Sequence, residues 1–210
     1  MQKVIVFYGT KGSGKDTCYE LLQKIQFFKF SSLVQKVSFA DYLKEVVFRL
    51  FKTKIVDRDR IYGTIDKKEE EITDWKIPED IKVKCGFTED NWSGRRLLQW
   101  FGTDVCRNVY SDVWVDSLAE NIESMTQANI IAITDCRFKN EYMKLKELGT
   151  KYEVIFIKIV RNEIQDNNFS THSSEKDMAD FEFDIEIDNS GTLIQLENTL
   201  TALSLADWKI

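Results

Sequence analysis

Nine residues near the start of the chain, Gly9-Thr10-Lys11-Gly12-Ser13-Gly14-Lys15-Asp16-Thr17, combine glycines, lysines and hydroxyls at a spacing that can hold phosphate. Gly9, Gly14 and Lys15 meet the pattern G-x-x-x-x-G-K. Glycines there let successive backbone N–H groups turn inward around phosphate oxygens, and the N-terminus of a following helix adds partial positive charge. Lys15 then acts as a point charge on the β- and γ-phosphates. The residue after the lysine is Asp16 where the general motif has Ser or Thr, and the hydroxyl comes one place later, at Thr17.

A phosphate loop indicates nucleotide binding without naming a reaction. The guanine-reading tetrapeptide [N/T]-K-x-D and an L-S-G-G-Q-like signature are both missing from the sequence, which argues against a GTPase and an ABC-type ATPase. The remaining cationic side chains of interest are Arg95, Arg96, Arg107, Arg137 and Arg161. Over residues 93–107, about 100° per residue puts Leu97, Leu98, Phe101 and Val105 on one helix face. Arg96, Thr103 and Arg107 form a stripe nearly opposite, with Trp100 at its edge. Such a stripe is either a solvated face or a phosphate grip, since guanidinium binds phosphate oxygens as a bidentate fork. Asp135 closes the apolar run Ile130-Ile131-Ala132-Ile133-Thr134, where a carboxylate could organise Mg²⁺. It could equally pair with Arg137. Arg161 follows another apolar run and is either a lid arginine or a solvent-facing strand end.

These residues need a scaffold, and the sequence supplies one. Val4 to Tyr8 is a continuous apolar run, as expected of a central parallel strand covered on both faces. A helix from Lys15 to Gln26 follows the loop, then a short strand at Val37 to Phe39 and a helix from Asp41 to Phe51. Further helices are expected at 93–106, 111–125, 137–148 and 192–203, with Gly149 as a helix stop. Strands are expected at 130–134, 154–160 and 183–187. Residues 52–91 are charged and weakly periodic, and read as an insertion or substrate cover with a hairpin near Ile81 to Cys85. Strands alternating with helices imply an α/β fold: a three-layer sandwich around a mainly parallel sheet, in one domain spanning 1–210 with its core at 1–51 and 92–210.

Composition narrows the class. Hydrophobic residues make up 43% of the 210, enough for one sizeable core. The formal net charge of −6 speaks against coating a nucleic-acid duplex. Cys18, Cys85, Cys106 and Cys136 are scattered, with His172 the one histidine beside them, so neither a zinc site nor a disulfide framework is expected. No apolar run reaches membrane-spanning length. With no targeting signal visible, a cytoplasmic protein is expected.

Taken in order, the phosphate loop, then Arg95-Arg96-Leu97-Leu98-Gln99-x-x-Gly102-Thr103-Asp104, then Asp135-x-Arg137-x-x-x-Glu141, resemble the deoxynucleoside monophosphate kinases of tailed bacteriophages and some large DNA viruses. His172-x-x-Glu175 and Asp188-Asn189-x-Gly191 are similar to late segments of that family. The resemblance implies a P-loop kinase moving the γ-phosphoryl of ATP onto a deoxynucleoside monophosphate. It places Gly12, Gly14, Lys15, Asp16 and Thr17 at ATP, with Ser13 in the same loop. Lys11 would reach the acceptor phosphate. Leu43, Lys44, Lys68, Arg95, Arg96, Gly102, Thr103, Trp114, Asp135, Arg137 and Glu141 would form the acceptor pocket. Lys15, Arg95, Arg96, Arg137 and Asp135 carry the catalytic expectation. In adenylate-kinase-like enzymes, which the loop also resembles, a Thr stands where Thr17 does, making Thr17 the candidate Mg²⁺ ligand, directly or through water. Related kinases of this shape often pair, so a homodimer is a further expectation. Two other readings stay open: a different small-molecule P-loop kinase, such as one acting on a dephospho-cofactor or phosphomevalonate, and a nucleotide-binding regulator without turnover.

Overall fold

A computed structural model of the chain describes residues 1–10, 12–52, 57–72, 92–161 and 181–208. These group into two compact units, one of Met1–Phe39 with Val115–Ile210 and one of Ala40–Trp114. The expected hairpin at 81–85 lies outside the described residues, as do Lys11, His172 and Glu175. No helix among the described residues is long and apolar enough to cross a membrane.

The first unit is built on five strands: β1 (Lys3–Tyr8), β2 (Val34–Val37), β3 (Ile130–Ile133), β4 (Glu153–Val160) and β5 (Ile185–Asp188). Their order is β2-β3-β1-β4-β5 and every pair is parallel. β1 is therefore central, which explains the unbroken apolar run from Val4 to Tyr8. Val4, Val6 and Tyr8 face one core while Ile5 and Phe7 face the other. Parallel neighbours require helical crossovers. Helices α1 (Lys15–Phe30) and α8 (Leu193–Leu205) cover one face, and α6 (Val113–Ser124) and α7 (Lys139–Leu148) supply residues to the other. The α1 stripe is Cys18, Leu21, Leu22 and Ile25, spaced three and four apart as a helix buried on one side demands. On the opposite face Tyr142 stacks on Phe181 with ring centres 4.3 Å apart, and Tyr8 meets Phe181 edge-on at 5.4 Å. The α/β three-layer expectation holds.

Several boundaries differ from the sequence expectation, each for a local reason. α1 runs four residues beyond Gln26 because its stop is Ser31 in a left-handed conformation (φ 50°), whose N–H bonds to the Gln26 carbonyl. β2 starts earlier, at Val34, where the register pairs it with Ile130 of β3, and Phe39 already opens the next helix. Gly149 ends α7 without leaving right-handed space (φ −56°).

The second unit contains α2 (Phe39–Phe51, from Ala40 onward), α3 (Arg58–Tyr62), α4 (Ile65–Glu69) and α5 (Gly94–Gln99), followed by a π-helical segment, Trp100–Arg107. Its core is Val47, Ile61, Ile72, Trp92 and Leu97, with Leu43, Phe48, Trp100 and Phe101 packed around it. Gly94 permits α5 to approach α3, since a Cβ there would stand 1.9 Å from the Arg60 carbonyl oxygen. The single α-helix expected over 93–106 is thus two segments. From Trp100 the hydrogen bonds skip five residues, so the 100° stripe of Arg96, Thr103 and Arg107 does not continue through it. An inserted donor accompanies the irregularity: the Trp114 indole N–H bonds to the Gly102 carbonyl at 3.0 Å.

Truncating Leu22, fully buried in the α1 stripe, to alanine is expected to lower unfolding free energy by about 2–5 kcal/mol. Truncating Phe27, 63% exposed on the same helix, should change it by less than about 0.5 kcal/mol. Urea denaturation followed by circular dichroism reads both.

Candidate functional site

In the first unit the phosphate loop leaves β1 at its carboxyl end, the central position of the sheet. Gly12 (φ 82°) and Gly14 (φ 99°) adopt left-handed backbone that side-chain-bearing residues rarely tolerate. A Cβ on Gly9 would stand 2.6 Å from the Ile159 carbonyl of β4. The Ser13 N–H bonds to the Thr10 carbonyl at 3.2 Å, and the Cys18 N–H to the Gly14 carbonyl at 2.9 Å opens α1. The loop is therefore a turn running straight into a helix N-terminus, the geometry that binds anions.

Lys15 folds back over this loop, its Nζ donating to the carbonyls of Gly9 at 2.7 Å and Thr10 at 2.8 Å. Its pKa lies below the ordinary lysine value, first because burial disfavours the ammonium and second because the Arg137 guanidinium is close. Asp16, Cys18 and Asp135 oppose the shift. Register explains this proximity. Ile133 of β3 pairs with Val6 of β1, so the chain beyond β3, carrying Thr134, Asp135 and Arg137, emerges beside the phosphate loop.

Asp135 accepts from the Ser38 hydroxyl at 2.8 Å and from the Phe39 N–H at 3.1 Å, bracing the start of α2. Glu141, 1% exposed, accepts from the backbone N–H groups of Arg137 (2.8 Å) and Phe138 (3.1 Å). Its carboxylate thus caps α7 and fixes the backbone that carries Arg137. The Arg137 side chain is exposed. Arg161 follows β4 and is exposed as well. Thr17 is half-buried, and Ser13 Oγ is buried with no hydrogen-bond partner among the described residues.

Asp16 turns toward the ends of β2 and β3, accepting from Lys36 Nζ at 2.5 Å and from the Thr134 hydroxyl at 3.1 Å. Partial burial raises its pKa, but the Lys36 bond and charge, Thr134 and Lys15 outweigh that and hold it below the usual aspartate value. Sequence reasoning missed Lys36, which sits unremarkably in Val34-Gln35-Lys36-Val37. It also gave no role to Asn189, whose side-chain amide donates to the Ser13 carbonyl at 2.8 Å.

The second unit, taken by itself, gathers other expected residues. A cleft of about 560 Å³ is lined by Trp92, Ser93, Arg95, Arg96 and Gln99 together with Glu69 and Glu71. Arg95 Nε lies 2.7 Å from Glu69 Oε1, and the Arg96 guanidinium is 5.8 Å from the centre of the Trp92 ring. Leu43 packs on Gly102, where a Cβ would stand 2.6 Å from the leucine methyl. Trp114 is buried and Thr103 exposed. Lys44 lies 3.5 Å from Asp41 of its own helix, and Lys68 is half-buried on α4.

Residues 31–200 match the model of a family described as deoxynucleotide monophosphate kinase. No curated protein matches the sequence significantly. Among solved structures, the chain is similar to the APS kinase of Mycobacterium tuberculosis at 6% identity and TM-score 0.44, covering 97% of each chain. It is similar to a shikimate kinase from Acinetobacter baumannii, solved with shikimate, at 11% identity and TM-score 0.44, covering 99% of this chain and 94% of that one. A putative plasmid partition protein from Borrelia burgdorferi, bound to AMPPNP, matches at 12% identity and TM-score 0.37, over 98% and 99%.

The Asp16–Lys36 pair makes a pH prediction. A carboxylate with a depressed folded pKa contributes stability that is full above its unfolded value, near 3.8, and is lost as pH falls through the folded value. Lys36→Met should raise the Asp16 titration midpoint, read by carbon NMR of the carboxyl. It should also flatten the acid limb of the stability curve. Identical Asp16 midpoints in both proteins would show the pair to be inert.

Proposed function

The chain belongs to the deoxynucleotide monophosphate kinase family, and from that premise we propose how its residues divide the transfer of the γ-phosphoryl of ATP to a dNMP, giving dNDP and ADP. An oxygen of the acceptor phosphate attacks the γ-phosphorus while the bond to the β-bridging oxygen breaks and ADP leaves. The attacking oxygen is already ionised, so little acid–base help is needed. The work is positioning two polyanions and neutralising charge on the transferred group.

The observation that carries this reading is the phosphate loop with Lys15 laid across it and Arg137 beside it. Backbone N–H groups of residues 12–17 hold the donor phosphates. Lys15 exchanges its contacts with the Gly9 and Thr10 carbonyls for β- and γ-oxygens. Arg137 neutralises the transferred group, with Asp135 and Glu141 fixing the chain around it. Arg95 and Arg96 bind the acceptor phosphate, with Lys11 and Lys68 adding positive charge. Leu43, Lys44, Gly102, Thr103 and Trp114 shape the acceptor pocket.

The family chemistry implies Mg²⁺, and the donor set suits it. Mg²⁺ takes most of its ligands from water and phosphate and needs only one or two from protein. Thr17, a half-buried hydroxyl in the first turn of α1, and the Asp135 carboxylate would hold it. When bound, Mg²⁺ would supply positive charge to offset that of the phosphates. The reading extends to a viral source, from the motif series, and with it a host-cytoplasm location, and to a homodimer by resemblance to related kinases that pair.

Incubating the protein with ATP and each deoxy- and ribonucleoside monophosphate, then separating nucleotides by chromatography, should show ADP and a deoxynucleoside diphosphate together. The absence of diphosphate from every dNMP would sink the assignment. Lys15→Ala should lower kcat by about 10²–10³-fold while circular dichroism shows the fold intact. Arg96→Ala should raise KM for the acceptor more than KM for ATP.

A further inference from the structure

Asn189 lies outside every role assigned above, yet its side chain touches the phosphate loop. Its Nδ2 donates to the Ser13 carbonyl at 2.8 Å, while its own backbone N–H bonds to the Val160 carbonyl at the end of β4, at 2.7 Å. The contact spans 176 positions of sequence, so it is made by the fold and not by local chain geometry. We propose that Asn189 is a positioning residue for the phosphate loop: its carboxamide holds the Ser13–Gly14 peptide in the orientation that binds ATP.

The argument begins with peptide planarity. In a trans peptide the C=O and N–H point in opposite directions. An amide donor that draws the Ser13 carbonyl to one side therefore commits the Gly14 N–H to the other. Without that donor the peptide is free to turn, and a carbonyl presented to a phosphate repels it. Gly14 is matched to the contact twice. Its φ of 99° suits glycine, and a Cβ there would stand 2.3 Å from Asn189 Nδ2, so only glycine leaves room for the amide.

The loop bearing Asn189 is itself braced. The Ser190 N–H bonds to Asp188 Oδ1 at 2.9 Å, and the Thr192 N–H bonds to Gln195 Oε1 at 2.7 Å in a capping box that starts α8. Both α8 and α1 pack into the same core. The amide is thus fixed relative to the helix whose N-terminus the phosphate loop opens. A donor held this way adds order before nucleotide arrives, which is where preorganisation gains affinity.

The proposal rests on the reading of this loop as the ATP site, and its test is kept separate from turnover. Affinity for a non-hydrolysable ATP analogue with Mg²⁺ is measured by calorimetry for the wild type, Asn189→Ala and Asn189→Asp, alongside melting temperatures and steady-state KM for ATP and acceptor. Asn189→Ala should weaken the analogue about three- to tenfold, the worth of one net hydrogen bond. Asn189→Asp should weaken it further, since a carboxylate oxygen repels both the Ser13 carbonyl and the triphosphate. Acceptor KM should stay within twofold. A merely structural residue would lower the melting temperature, affect both substrates alike and show no Ala–Asp ordering. That pattern, or analogue binding within twofold of wild type in Asn189→Ala, would overturn the proposal. Should Asn189→Asp fail to fold, the alanine variant alone decides. A wild type that binds the analogue but phosphorylates no dNMP would end the assigned reaction and leave Asn189 to be judged by its variants. A wild type that binds no analogue would overturn both.

Discussion

The constraint on which the site depends is the placement of two like charges, Lys15 and Arg137, at one edge of a parallel sheet. Lys15 is partly buried and sits near Arg137, and both effects disfavour its charge. Its two hydrogen bonds go to carbonyls, which accept but carry no full charge. Like charges are tolerated at such a spot where an anion is the intended occupant, since a triphosphate turns repulsion between cations into shared attraction. The parallel register imposes the arrangement: β1 and β3 are neighbours paired in step, so whatever follows each strand emerges on the same edge. This edge also holds the switch point of the sheet, because the crossover after β1 runs through α1 on one face and that after β3 runs through α7 on the other.

Much of the first unit was legible for the reason that makes it stable. Strands buried on both faces are written as apolar runs: Val4–Tyr8 and Ile130–Ile133 are unbroken, and Val154–Val160 is interrupted only by Lys158. The phosphate loop was legible because backbone that must adopt positive φ leaves glycine in the sequence. β2 was misplaced because an edge strand of four residues, half of it polar, has no comparable signature. The end of α1 was misplaced because Ser31 takes a left-handed stop that the sequence does not mark with glycine. Lys36 went unnoticed, and Asn189 was noticed only within a motif and given no role, for a different reason: each contacts a partner far away in sequence, Asp16 or Ser13, and spacing carries no trace of that.

The second unit was less legible, and its construction shows why. Much of its core comes from short helices and the chain between them, with Ile61 and Leu97 on separate short helices and Ile72 and Trp92 outside any helix, so that no period is established. The irregular turn over Trp100–Arg107 engages Trp114, twelve residues past the carbonyl to which it donates. Wheel geometry cannot anticipate a helix whose hydrogen-bond spacing changes midway, so the Arg96–Thr103–Arg107 stripe failed as geometry. Arg95 and Arg96 stand instead beside Ser93 and Trp92 in a cleft of their own unit.

The departure from the general loop motif then finds a physical account in charge. A carboxylate next to Lys15 would work against an anion if left alone. Asp16 is not left alone: Lys36 pairs with it, and Thr134 donates to the same oxygen. In the first turn of α1 a negative charge is also favourable to the helix, so Asp16 can stabilise the fold while Lys36 cancels its field toward the loop. The hydroxyl that the motif usually places there has moved one residue on, to Thr17. Lys15 and Arg137 add two cations beside the loop, opposed there by the Asp135 carboxylate, in a chain whose overall charge is −6. Under the proposed function, it is the arrangement of these few charges, and not the composition of the whole, that would let an acidic protein take an anion at this loop.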